Sequence, residues 1–290
     1  MKYFTFILLA SLLSCSQQKV VDHQYNSERG PANFQSCFET LNQIIKRAPI
    51  PTLSVKKNFD EVGSIDELEA LYGNKSFIDI QRDASPEQVL NYNKKFYELL
   101  EQPLTKSGSY EKASYITPEE AKIIYKDIET AKVNVDNACY DPKGTVGFCF
   151  GRATMVHMEA LIRNIDPNSV RKIWIAGDMG VWGHHVATLV KAQDGWYVID
   201  IEVGKIVRVK EWFTFFKKTY QAKGAKEIML FTSKAERFGP HDTTGYTPGD
   251  LFNTVTNEFN RDGDFYRGFF HDYFDELDKR QKTVKKFPAR

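Results

Sequence analysis

Three side chains whose types suit nucleophilic catalysis stand in the second half of this 290-residue sequence. The first is Cys149, which follows an irregular, glycine-containing stretch and precedes a helical pattern, so we expect it at a helix N-terminus. The partial positive charge there favours the thiolate, and the first turn can offer N–H groups to an oxyanion. Taken alone, a cysteine between Phe148 and Phe150 is better explained as a small buried hydrophobic residue.

A histidine and an aspartate in two neighbouring apolar segments complete the set. His185 opens one segment, and Asp200 is a charged residue in the other, where it needs a partner. If the two segments form a hairpin in which Val190 pairs with Gly195, His185 lies directly opposite Asp200. Asp200 would then orient His185, whose other ring nitrogen would take the proton of Cys149.

Other polar residues near these segments are predicted to have different roles. His184 competes for the role of base, but strand alternation directs it to the face opposite His185. His157 lies on the helix after the cysteine and is interpreted as a packed or surface residue. Asp178 and Asp194 stand beside glycines in predicted turns, which favours structural roles.

Neither a cofactor, a metal nor a nucleic acid is expected. The glycines at 144, 147 and 151 are not followed by the Gly-Lys-Ser/Thr of a phosphate loop. A partial calcium loop at residues 258–263 has Phe269 where the bidentate acid is needed, and no Cys and His spacing indicates zinc. The 39 Lys and Arg balance 38 Asp and Glu, without a basic stretch interleaved with aromatics.

The N-terminus predicts export. Residues 1–14 contain the apolar run Phe4–Leu13, which is too short to span a bilayer and is typical of a signal peptide. The run ends in Leu-Leu-Ser-Cys, which resembles a bacterial lipoprotein processing box, so we expect Cys15 to carry lipid and residues 15–29 to form a linker. The alternative is an ordinary cleaved signal with a chance cysteine. The expected location is the bacterial cell envelope, with the protein held to the membrane by its lipid.

One of the four cysteines is then assigned to the lipid anchor, and the other three belong to the rest of the exported protein. With Cys15 lipidated, three remain in an oxidising compartment, and an odd number leaves one thiol free. Cys37 and Cys139 could pair, or Cys139 could remain unpaired, and the sequence leaves this connectivity open. Cys149 is the thiol that we expect to be free.

The length allows one catalytic domain plus an additional segment. Residues 30–105 are predicted to be helical, from a periodic stretch that ends before Pro49 and from capping boxes that start at Ser64 and Ser85. Residues 102–110, with proline, glycine and serines, form the predicted linker.

The predicted catalytic domain, residues 110–290, begins with a helix whose capping box starts at Thr117. Strand patterns follow, at residues 172–176, 185–190, 196–203 and 228–232. We expect an α+β fold in which an antiparallel sheet packs against the helix that starts at Cys149. Aromatic residues at helical spacing in 266–277 predict a core-packing helix, with a partner surface as the alternative.

Three motifs together resemble a known family, the secreted bacterial protein-glutaminases. They are Gly-x-Cys-Phe-Gly-Arg-Ala at 147–153, Trp-x-x-His-Val-Ala-x-Leu-Val at 182–190 and Val-Ile-Asp at 198–200. The resemblance covers about residues 110–235. Members of the family hydrolyse the side-chain amide of protein-bound glutamine and share a Cys-His-Asp core with transglutaminases.

The resemblance implies a papain/transglutaminase-like core with Cys149, His185 and Asp200 as catalytic residues. Arg152 and Trp182 fall on flanking motif positions and are expected to support the site. The implied substrate is a protein or peptide with an exposed glutamine, hydrolysed through a thioester without a cofactor. The helical segment at 30–105 would be an inhibitory pro-region or an accessory unit.

Two departures from the family pattern put the substrate pocket in doubt. The family's catalytic domain is rich in disulfides, whereas Cys139 alone accompanies the nucleophile here, and Ile201 follows the aspartate where the family tends to have proline. The same three residues also serve in a cysteine protease or a transglutaminase. An inactive, lipid-tethered binding protein is the alternative from another class.

Processing at Cys15 is directly testable. We expect mass spectrometry of the membrane-extracted protein to find a mature N-terminus at an acylated Cys15. A Cys15→Ser variant should lose the lipid and appear in the soluble envelope fraction. An unmodified N-terminal peptide from the wild type would contradict the anchor.

Overall fold

The structure is a computed structural model that describes residues 59–72, 75–101, 115–141, 147–180, 182–241, 246 and 264–288. Several predicted features lie outside these residues: the signal peptide, Cys15, the linker at 15–29, Cys37, the helix before Pro49, the linker at 102–110 and the partial calcium loop at 258–263.

One antiparallel sheet of five strands forms the centre of the fold, in the spatial order β4-β3-β2-β1-β5. The strands are β1 (Val170–Met179), β2 (Trp182–Ala192), β3 (Gly195–Ile199), β4 (Val207–Arg208) and β5 (Met229–Lys234). Almost every residue of β1 is buried, in agreement with the apolar run Ile-Trp-Ile-Ala at residues 173–176. The α+β prediction is confirmed.

The helices surround this sheet. They are α1 (Ile65–Tyr72), α2 (Phe77–Asp83), α3 (Pro86–Leu100), α4 (Pro118–Thr130), α5 (Lys132–Val135), α6 (Asn137–Tyr140), α7 (Cys149–Ile162), α8 (Val209–Thr219) and α9 (Asp264–Arg280). The capping boxes at Ser85 and Thr117 form both reciprocal hydrogen bonds. At Ser64 the box is incomplete, because the Glu67 carboxylate accepts from the N–H of Gly63 instead.

Helices α1 to α3 share one hydrophobic core with the sheet. Phe77 of α2 stacks on Phe231 of β5 with ring centroids 4.4 Å apart. The buried side chain of Asn93, on α3, donates to the Ile228 carbonyl and accepts from the Leu230 N–H, both at 2.9 Å. Asn93 thereby satisfies backbone groups at the edge of the sheet that β1 does not reach.

The C-terminal helix α9 also belongs to the core. Its residues Phe269, Phe270, Tyr273, Phe274 and Leu277 are buried. The core-packing prediction is confirmed for these side chains, which leaves them unavailable as an exposed partner surface. Within the described ranges, the helices are too short or too polar to cross a membrane.

We expect Asn93→Ala to destabilise the fold by about 2–4 kcal/mol, because it leaves a buried carbonyl and a buried N–H without partners. Urea unfolding, monitored by circular dichroism, measures the decrease in the free energy of unfolding. Asn91→Ala, at an exposed position of the same helix, is the matched control and should change stability by less than about 0.5 kcal/mol. Equal effects of the two substitutions would refute the role of Asn93.

Candidate active site

A left-handed residue turns the chain into the helix that carries Cys149. Phe148, the N-cap of α7, has φ 49° and ψ 19°, and Gly147 before it has φ 77°. This backbone costs a non-glycine residue on the order of 1 kcal/mol, and the burial of Phe148 against Phe269 holds it in place. Cys149 is consequently the first residue of α7; its thiol is free, and the residue as a whole is partly buried.

The first turn of α7 packs tightly against α9. A Cβ at Gly151 would lie 2.7 Å from Cε1 of Phe269, so this position has no room for a side chain. In the second turn, the carbonyl of Ala153 accepts from the Thr188 hydroxyl of β2 at 2.8 Å. These contacts position the start of α7 relative to the sheet.

His185 and Asp200 are in direct contact beneath Cys149. Nε2 of His185 lies 2.8 Å from Oδ2 of Asp200, and the two residues are only 3% and 5% exposed. Cys149 lies close enough to His185 for each of the two side chains to shift the pKa of the other. Since Nε2 faces Asp200, Nδ1 is the ring nitrogen that remains for the thiol. The three residues singled out in the sequence therefore meet.

The predicted hairpin register is wrong by two residues. The turn is tighter than expected, because Ala192 pairs with Gly195 and Val190 pairs with Tyr197. Because the register is shifted by an even number of residues, His185 and Asp200 still point to the same face of the sheet. They approach each other diagonally and not from directly opposite positions. A shift of one residue would have separated them.

The strand predicted over residues 196–203 is also too long. β3 ends at Ile199, and Ile201–Val203 form a 3-10 turn capped by Asp200. The Oδ1 atom of Asp200 accepts from the backbone N–H of Glu202 at 3.0 Å. Its Oδ2 atom accepts from Nε1 of Trp212, on α8, at 2.8 Å, in addition to its contact with His185. The carboxylate thus has partners on three different elements.

These contacts decide the charge states of the three residues. Burial opposes the charged form of His185, but the carboxylate of Asp200 and the thiol outweigh it and raise the pKa of His185 to about 9. Burial likewise opposes the thiolate, but His185, Arg152 and the backbone of Val186 lower the pKa of Cys149 below its ordinary value. Asp200 keeps a lowered pKa despite burial, mainly through His185 and Trp212. The lowered pKa of Cys149 and the raised pKa of His185 both favour a thiolate–imidazolium pair.

Helix α8 contributes side chains that the motifs did not indicate. The ring of Phe216 stacks on His185 with centroids 4.2 Å apart, and Trp212 packs at 6.0 Å. The sequence carries a signal for this helix, since Val209, Trp212, Phe213 and Phe216 recur at helical spacing and are buried. Nothing in that spacing indicates which strand residues the helix will cover.

Arg152 and Trp182, predicted to support the site, both lie beside it. Nη2 of Arg152 lies 3.7 Å from Oε2 of Glu202, whose Oε1 accepts from the Tyr220 hydroxyl at 2.6 Å. The ring of Trp182 contacts Tyr220 at 5.5 Å between centroids and lies over Gly147, where a Cβ would be 3.9 Å from the indole. Glu202 and Tyr220 were not indicated by the sequence motifs.

The other candidate residues lie away from this arrangement. His184 follows the alternation of β2, and its ring lies 6.4 Å from that of Trp174. His157 is fully buried, and its Nδ1 lies 2.8 Å from the Tyr246 hydroxyl. Asp178 accepts from the N–H of Gly180, and Asp194 accepts from the hydroxyl of Tyr197, as expected for structural roles.

In the part of the chain that the structure describes, no group of three or more His, Cys, Asp or Glu side chains is arranged to hold a metal ion. Comparison of the chain with family models, with curated proteins and with solved structures finds no match. The chemistry of the site therefore has to be inferred from its geometry.

The charge states predict the reactivity of Cys149. Alkylation by iodoacetamide should reach half its plateau rate at a pH below about 8.5, the ordinary cysteine value. Asp200→Asn removes the anion that raises the pKa of His185, so the imidazolium becomes scarcer at neutral pH and the midpoint should move upward. Asp194→Asn, in the exposed β2–β3 turn, is the control and should leave the midpoint unchanged. A wild-type midpoint at or above 8.5 would contradict the ion pair.

Proposed function

We propose that this protein is a cysteine amidohydrolase that hydrolyses the side-chain amide of protein-bound glutamine. The observation that carries the proposal is the 2.8 Å contact between His185 and Asp200, next to Cys149 at the start of a helix, where His185 lowers the pKa of the thiol. A thiolate held beside an imidazolium, which a buried carboxylate orients, is the arrangement that acyl transfer to sulfur requires.

In the first half of the reaction, the Cys149 thiolate adds to the carboxamide carbon. The developing oxyanion faces the N–H groups of the first turn of α7, which have no partners within the helix. The His185 imidazolium gives its proton to the NH2 group as the carbon–nitrogen bond breaks, and the group leaves as ammonia. A thioester between the substrate and Cys149 remains.

In the second half, water attacks the thioester. Neutral His185 takes a proton from the water, the carbon–sulfur bond breaks, and the products are a glutamate side chain and the regenerated ion pair. Asp200 stabilises the imidazolium at both stages because its carboxylate remains ionised and hydrogen-bonded. Burial of His185 and Asp200 strengthens this interaction by excluding water.

The choice of glutamine rests on the motif resemblance to the protein-glutaminases. With water as acceptor the enzyme is a deamidase, whereas a lysine amine would make it a transglutaminase and a backbone amide as target would make it a protease. The proposed setting is the bacterial cell envelope, where a lipid on Cys15 would hold the enzyme near exported proteins that expose glutamine.

Ammonia release from a glutamine-rich protein such as casein tests the proposal. We expect ammonia to form without new peptide N-termini, and Cys149→Ala to lower the rate at least about a thousandfold. His185→Ala should be similarly impaired and should also lose the rapid alkylation of Cys149. His184→Ala, its neighbour on the opposite face, is the matched control and should retain most of the activity.

Other outcomes would replace the proposal. New N-termini without ammonia would identify a protease, and incorporation of a labelled amine into casein would identify a transglutaminase. An inert thiol with no product of any kind would favour a binding protein that has kept the fold.

A further inference from the structure

The guanidinium of Arg152 is poor in partners for a group so close to the nucleophile. It lies in the first turn of α7, three residues after Cys149, with 14% of its side chain exposed. Its contact with Glu202, at 3.7 Å, is longer than a hydrogen bond, and its buried Nε has no hydrogen-bond partner among the residues that the structure describes. A guanidinium has five N–H donors, and buried donors are nearly always paired, so a substrate acceptor can complete this site.

An acceptor stands beside these donors. The carboxylate of Glu202 is 31% exposed, and its Oε1 is held by the Tyr220 hydroxyl at 2.6 Å. The backbone of Glu202 is fixed as well, because its N–H donates to Asp200. Arg152 and Glu202 therefore present a donor and an acceptor side by side, each on an element that also holds a residue of the candidate triad.

This combination matches the edge of an extended peptide residue. In an antiparallel hydrogen-bonded pair, one residue donates and accepts through its own N–H and C=O, which point to the same side. A donor beside an acceptor can hold both groups of such a residue. The pair has no net charge of its own, which suits a neutral main chain.

The charges around the site favour the same kind of ligand. One cation, Arg152, stands near two carboxylates, those of Asp200 and Glu202, and the proton shared by Cys149 and His185 adds no net charge wherever it resides. The excess of negative charge disfavours a carboxylate at this position, whereas a carbonyl oxygen can accept from Arg152 without that penalty. A peptide carbonyl is the better ligand than the free α-carboxylate of an amino acid.

We propose that Arg152 and Glu202 form the subsite that binds the main chain of the substrate residue, with Arg152 donating to its C=O and Glu202 accepting from its N–H. This inference rests on the proposed function. It makes glutamine within a peptide the substrate, in preference to glutamine with a free α-carboxylate, and it makes the two residues determinants of specificity.

Steady-state ammonia release from two small amides tests the subsite. The first is N-acetylglutamine N-methylamide, which presents a peptide carbonyl, and the second is N-acetylglutamine, which presents a carboxylate. We expect the wild type to have the higher kcat/KM for the first. Arg152→Met should raise its KM roughly tenfold or more while changing kcat less, measured at a pH where Cys149 is fully ionised.

Two further variants separate binding from folding and from general charge effects. Glu202→Gln keeps the shape of the side chain and its contact with Tyr220 but removes the negative charge. It should therefore reduce the ratio of kcat/KM for N-acetylglutamine N-methylamide to kcat/KM for N-acetylglutamine. Arg82→Met is the matched control, because Arg82 is an exposed arginine on α2 with ion pairs to Asp79 and Asp83. It should leave both kcat and KM unchanged. An unchanged KM in Arg152→Met, or an unchanged preference in Glu202→Gln, would overturn the subsite.

A protection assay distinguishes failure of the subsite from failure of the proposed function. N-acetylglutamine N-methylamide should slow the alkylation of Cys149 by iodoacetamide in the wild type, and much less in Arg152→Met. If the amide protects Cys149 from alkylation but no ammonia is released, the amidohydrolase is refuted and the subsite is supported. If ammonia is released but the amide slows alkylation equally in the wild type and in Arg152→Met, the amidohydrolase is supported and the subsite is refuted.

Discussion

The buried carboxylate of Asp200 is the constraint on which the rest of the site depends. An ionised carboxylate in the interior is costly unless donors surround it. Asp200 finds them on β2 through His185, on α8 through Trp212 and in its own 3-10 turn through the N–H of Glu202. Each donor reaches the carboxylate only if a different part of the fold is in place. Asp200 therefore links the hairpin, the docking of α8 and the turn that follows β3.

The same carboxylate determines what His185 can do. A buried imidazole on its own would be neutral, because burial opposes its charge. Asp200 and Cys149 reverse that preference and raise the pKa of His185, while the stacked ring of Phe216 restricts the orientation of His185. In the proposed reaction, the imidazolium donates its proton in one step, and the neutral imidazole that remains accepts a proton in the next, without the ring having to move.

The residues that were predicted well from the sequence are those whose side chains require a polar or charged partner. A lone aspartate in an apolar strand requires a partner, and parity along two strands was enough to bring His185 and Asp200 together although the register was wrong by two residues. The tighter turn at Ala192 and Gly195 and the end of β3 at Ile199 depend on local backbone preferences that apolar alternation does not distinguish.

The partners of Asp200 and Arg152 were not predictable for a different reason. Trp212 and Glu202 stand in ordinary surroundings, an amphipathic helix and a loop, and their roles arise only from tertiary packing. β3 ends at Ile199, and the turn that Asp200 caps directs the N–H of Glu202, two residues further on, back to the carboxylate. Patterns of residue type identify groups that need a partner, but they do not identify the distant residue that supplies it.

The packing of α1 to α3 bears on whether the N-terminal helices could inhibit the site and then be removed. Among the described residues they contact the sheet at β1 and β5, through Phe77 on Phe231 and through the ion pair of Asp66 with Arg171 at 2.9 Å. Their loss would expose buried aromatic rings and leave Arg171 without a carboxylate that it pairs with. A removable inhibitor has to leave a stable enzyme behind, so these contacts favour a permanent accessory role for residues 59–101.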